Sequence, residues 1–121
     1  MCFVMGRRTA VALAAWLAPV GLAAGCRDEI AGGRADGAAI FSEVCARCHG
    51  PEGVPPPSEV ARLGVKPLTS PHVQRELSDA DIRRQILNGS ENKQMPSFAG
   101  ALSEAQLDAI IAHVRTLGAS P

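Results

Sequence analysis

Cys45-Ala46-Arg47-Cys48-His49 is the stretch whose reading decides the fold. On a helix, two thiols three residues apart lie about one turn apart and share a face, here with an imidazole directly after the second. A redox-active thiol pair would follow a strand in a βαβ unit, but no segment of this chain alternates as a strand should. A zinc site would need a second ligand pair at finger or ribbon spacing, and there is none. In an exported chain a plain disulfide is the strongest rival. It accounts for the thiols and leaves the trailing His49 unexplained.

The spacing Cys-x-x-Cys-His is that of covalent haem attachment. Cys45 and Cys48 are placed to form thioether bonds to the two vinyl groups of one haem, and His49 can reach the iron from the same side as its proximal ligand. Composition agrees. Aromatic residues make up 3% of the 121 residues and Tyr is absent, so a domain of this size is short of core material. A haem would fill the centre.

Outward from this motif the pattern is helical. A first helix is predicted from Asp36 as cap, with Ile40, Phe41 and Val44 on one stripe, ending in the 45–49 stretch before Gly50-Pro51. A second has Ser78 as cap and Asp81 three residues on, Leu77 and Ile82 as staple, and Ile82, Ile86 and Leu87 as its apolar face before Asn88-Gly89. The third repeats this grammar with Ser103, Gln106 and the Leu102/Leu107 staple. Its stripe is Leu107, Ile110, Ile111, Val114 and Leu117. Pro55-Pro56-Pro57 reads as a stiff extended loop. The expected fold is all-α.

Residues 1–25 run from Arg7-Arg8 through an uncharged apolar stretch to Cys26, the layout of a secretory signal peptide and too short for a membrane span. Leu22-Ala23-Ala24-Gly25-Cys26 resembles a bacterial lipobox, so Cys26 is the expected lipidation site. Residues 26–35 then form the lipidated Cys and a flexible tether, and 36–121 the haem domain. After cleavage there remain ten basic against twelve acidic side chains, a net charge of −2. That balance excludes a nucleic-acid binder working through bulk charge. Met95 is the only methionine left.

The stretches GAAIFSEVCARCHGPEG, ILNGSENKQMPSF and LSEAQLDAIIAHVRTL together resemble a class I c-type cytochrome over residues 36–118. The resemblance implies a small helical fold packed around one haem c, with a Met-Pro loop before the last helix supplying the second axial ligand. Met95-Pro96 matches. It also implies a proline carbonyl accepting the second N–H of the proximal imidazole, for which Pro67 is the first candidate and Pro57 the second, and it suggests that Phe98 packs near the haem. His72 and His113 are the competing sixth ligands. His72 is read as a solvated loop residue. His113 stands where similar cytochromes often have an aromatic, and is read as packing near Gly37 and Phe41.

With His49 and Met95 both on the iron there is no open position, and the expected function is one-electron transfer between periplasmic or membrane redox partners. No enzymatic activity is expected. The chain is expected to be an exported monomer held by lipid at the periplasmic face of a bacterial membrane. A fixed haem c subunit of a membrane oxidoreductase is the alternative, or a haem gas sensor if Met95 is not a ligand.

Overall fold

The computed structural model describes residues 29–119. The expected signal peptide and Cys26 lie outside the described residues. All regular structure among the described residues is helical, as expected.

Helix α1 is composite, α-helical over Gly37–Ile40, π-helical over Phe41–Cys45 and α-helical again over Ala46–His49. Asp36 starts it, its carboxylate accepting the Ala39 N–H at 3.0 Å. Gly50 stops it at φ 75°, where a side chain would strike the Val54 carbonyl. Helix α2 is Pro57–Leu63, with Pro57 in the first turn and Gly64 left-handed at its end. Helix α3 is Asp79–Asn88, and α4 is Glu104–Leu117. Both carry the predicted reciprocal caps, Ser78 with Asp81 and Ser103 with Gln106.

The core forms where α1 crosses α4. Ile40, Phe41, Leu107 and Ile110 are fully buried, with Ile111 and Val114 beside them. The crossing is close because Gly37 lacks a side chain: a Cβ there would lie 2.0 Å from the Ala109 carbonyl oxygen. The His113 ring packs on Phe41 at 5.1 Å between centroids, within aromatic contact range.

Two segments differ from the sequence reading. The first is Pro55-Pro56-Pro57, expected to be an extended loop. Its last proline opens α2, where a missing N–H costs nothing, and Pro55 is buried. The second is the described part of the expected tether, 29–35, which is docked. Ala31 is buried, its N–H donates to Glu43 Oε2 at 2.8 Å, and Gln106 Nε2 donates to the carbonyls of Ile30 and Arg34. The packed domain therefore starts before residue 36.

A further π turn, His72–Glu76, follows the 64–71 loop. Gln74 Nε2 ties it down by donating to the carbonyls of Leu68 (2.7 Å) and Val114 (3.0 Å). Arg115 adds bonds to the carbonyls of Val73 and Leu77 and an ion pair with Asp79. These two side chains fix one wall of the cavity described next.

Candidate functional site

The end of α1, the 63–77 segment, α3 and the 90–98 loop enclose a cavity of about 410 Å³. That lies within the range of cofactor pockets. Cys45, Cys48 and His49 line it from α1, Met95, Pro96 and Phe98 from the loop, and Val44, Leu68, Val73 and Leu77 supply apolar wall. A second cavity of about 130 Å³ shares Cys45, His49 and Met95 and reaches Ile110 and Val114 of α4.

Local sequence explains each placement. The π turn ends at Cys45, so the pentapeptide opens where the helix returns to α geometry; π turns occur often at functional sites. Met95 is set by its own loop: its N–H donates to Ser90 Oγ at 2.9 Å and its carbonyl accepts the Ser90 N–H at 3.0 Å. Gly89 makes the return tight, since a Cβ there would lie 2.4 Å from the Met95 carbonyl oxygen. Phe98 is half-buried and its N–H donates to the Ile86 carbonyl at 3.1 Å, joining the loop to α3.

Cys45 and Cys48 are free thiols. Burial pushes the Cys45 thiol up to about 11, and the nearby Cys48 adds to the rise, so Cys45 is protonated at neutral pH. Burial also lowers His49 below the ordinary imidazole value. Neutral imidazole is the form that can ligate a metal. Its Nδ1 is buried with no hydrogen-bond partner. Two thiols, a neutral imidazole with an unspent ring nitrogen and a thioether around an apolar cavity fit a haem, whose iron takes His and Met donors.

Other candidates fall differently. The carbonyls of Pro67 and Pro57 make no hydrogen bond to His49; that of Pro67 accepts the Ser70 N–H at 3.2 Å in a turn. Pro67 is exposed, although its neighbours Lys66 and Leu68 line the cavity. His72 lies on the π turn and not in a loop, lines the cavity, and has Nδ1 2.9 Å from Glu76 Oε2. His113 packs on Phe41 and lines neither cavity.

Sequence reasoning missed Gln85. It sits on α3 beside Ile82 and Ile86, and its Nε2 lies 3.8 Å from Met95 Sδ while donating to the Gly89 carbonyl at 3.0 Å. A polar residue bordering the apolar stripe of α3 was the available signal.

Comparisons with known proteins give the family. A family model described as cytochrome c oxidase, cbb3-type, subunit III, matches residues 33–114. Cytochrome c6 of a Synechococcus species is 35% identical over 106 residues, covering 88% of this chain and 82% of that protein. The dihydro-heme d1 dehydrogenase of Pseudomonas aeruginosa is 35% identical over 83 residues, 68% of this chain. The chain spans 15% of the length of that dehydrogenase. A solved structure, the KustC0563 c-type cytochrome, superposes with a TM-score of 0.61 at 28% identity, covering 68% of this chain and 96% of that one. Covalently bound haem c and electron transfer are what such proteins have in common. With the all-helical fold and the Cys45-to-His49 cavity, these matches identify the chain as a c-type cytochrome of the family described as cytochrome c oxidase, cbb3-type, subunit III.

Proposed function

We propose that the chain holds a single haem c through Cys45 and Cys48, that His49 and Met95 would ligate its iron, and that it carries one electron at a time between redox protein partners. The observation that supports it is that the imidazole of His49 and the thioether of Met95, from two separate segments, wall the same cavity beside the two thiols. A bound haem supplies a one-electron couple, and His/Met ligation leaves no position for substrate or gas and raises its potential relative to His/His. The chain's own part is to hold both ligands fixed: α1 carries His49, and Ser90 and Gly89 fix Met95. Fixed ligands mean little rearrangement when the charge changes. Phe98 is proposed to pack against the haem from the Met95 side.

We assign the chain to the periplasmic side of a bacterial membrane, exported by the segment 1–25 and anchored by lipid on Cys26. Among the described residues no helix is long and apolar enough to cross a membrane.

The deciding experiment is spectroscopic. Oxidised protein matured with covalent haem shows the weak far-red band of Met-to-iron ligation, and the reduced form does not bind carbon monoxide at neutral pH. Met95→Ala loses the band, binds carbon monoxide and has a lower potential. Rapid carbon monoxide binding by the unaltered protein overturns the carrier reading in favour of a sensor. An unchanged spectrum in Met95→Ala transfers the sixth position to a histidine. The family description favours a second reading, a fixed subunit of a membrane oxidoreductase. Co-purification with a larger complex through detergent extraction distinguishes that from a free carrier.

A further inference from the structure

The segment that precedes α1 is bound to the domain at several points. Gln106 of α4 is only 5% exposed, and its amide is fully used: Nε2 donates to the carbonyls of Ile30 at 2.9 Å and Arg34 at 3.2 Å, and Oε1 accepts the Ser103 N–H at 3.0 Å. On the other side Glu43 of α1 accepts the Ala31 N–H at 2.8 Å. Ala31, Gly32 and Gly33 are all left-handed, at φ 53°, 61° and 75°. An alanine avoids that conformation unless its surroundings impose it, and here both its N–H and its methyl are held by the domain.

This changes what an anchor at Cys26 can do. A free tether of nine residues has a root-mean-square reach of roughly 15 to 18 Å, so a domain hung on one samples many heights and orientations. With the strap docked, only three peptide steps separate Cys26 from Glu29, at most about 11 Å. No residue of the strap lines either cavity, so the arm grips the domain clear of the cavity mouth.

We propose that the docked strap Ile30–Gly33, held by Glu43 and Gln106, is an anchor arm that keeps the haem domain at a short, fixed height on a lipid surface with its cavity mouth free for a partner. This rests on the reading of Cys26 as the lipidated residue. The surface partner is a bilayer, because the chain between the strap and Cys26 is too short for the domain to leave it. The electron partner must then present its own site close to the same membrane.

The test uses acylated holoprotein on vesicles of phosphatidylethanolamine and phosphatidylglycerol containing a headgroup-labelled fluorescent lipid, which the haem quenches by energy transfer. Two variants carry the same ten-residue Gly-Ser insertion, one between Asp28 and Glu29, the other between Ala35 and Asp36. Each insertion adds a coil of roughly 16 to 19 Å root-mean-square length. With the strap docked, the first insertion lowers quenching and the second leaves it at the unaltered value, because its extra residues form a loop between two fixed points. Equal losses in both variants, or a loss in neither, overturn the arm while leaving the anchor standing. Failure of the unaltered protein to float with the vesicles, at the level of a Cys26→Ser control, overturns the lipidation reading and the arm with it.

Discussion

Gln85 is the side chain whose consequence is easiest to isolate, because it touches Met95 without being a ligand. Its Nε2 points an N–H toward Met95 Sδ at 3.8 Å, a weak contact, since sulfur is a poor acceptor. Weak as it is, an N–H there draws electron density from the lone pairs that would donate to iron, which disfavours the oxidised state. Gln85→Leu therefore lowers the reduction potential while the far-red band remains. Potentiometric titration beside the Met95→Ala variant separates the two effects, since only loss of the ligand abolishes the band. That Cys45, Cys48, His49 and Met95 belong together was legible in sequence, because the proposed bond-forming chemistry fixes residue type and spacing, and all four line one cavity. Gln85 was not, because its role depends on which side of α3 meets the 90–98 loop. The Pro67 carbonyl was not legible in the same way: a carbonyl's direction is set by local turn geometry, and here it accepts the Ser70 N–H.

At the scale of elements, the crossing of α1 and α4 depends on a missing side chain. Gly37→Ala puts a methyl 2.0 Å from the Ala109 carbonyl oxygen and 3.0 Å from His113 Cβ, both on α4. The helices must separate, which costs on the order of 1–3 kcal/mol in a packed core. Thermal or denaturant unfolding of the holoprotein checks it, with the visible spectrum unchanged from the unaltered protein below the transition. The start of α3 gives a pH-dependent case. Hydrogen bonds from Ser78, with help from Arg84, lower the Asp81 carboxyl to about 2 from its ordinary value near 3.8. A depressed carboxylate stabilises the fold above the unfolded value and loses that contribution as pH falls through the folded one. The melting-temperature gap between the wild type and Asp81→Asn is therefore constant above about pH 5 and closes between about 4 and 2. Helices α3 and α4 were legible because their capping boxes and stripes are local signals. Helix α2 was obscured by three prolines, although Pro57 at a first helical position and Gly64 just past the end were signals in plain view. The π turns have no period of their own and come from tertiary packing, which a single sequence does not display.

For the whole molecule the question is whether this chain can hold its fold without a group in the cavity. Among the described residues its helices are short, its aromatics are Phe41 and Phe98, and its core is centred on four fully buried side chains, Ile40, Phe41, Leu107 and Ile110. Unfilled, a cavity of about 410 Å³ would cost up to roughly 10 kcal/mol at about 24 cal/mol per Å³, a ceiling because the cavity opens to solvent. Small domains have only about 5–15 kcal/mol of stability in total. The sums are close enough that we expect covalent attachment to be coupled to folding, with the two thiols as the place where that coupling would act. Cys45→Ser with Cys48→Ser is therefore expected to give a chain with little helix and no cooperative thermal transition by circular dichroism, whereas the matured protein melts in one transition. Substituting serine for cysteine changes little volume, so loss of packing at those two positions cannot account for unfolding on that scale. A cooperative transition in the double variant, at a temperature near that of the matured protein, would mean that the helices close the cavity unaided. The stability would then lie in the α1/α4 crossing and its capping boxes, and the thioether bonds would serve only to retain the haem.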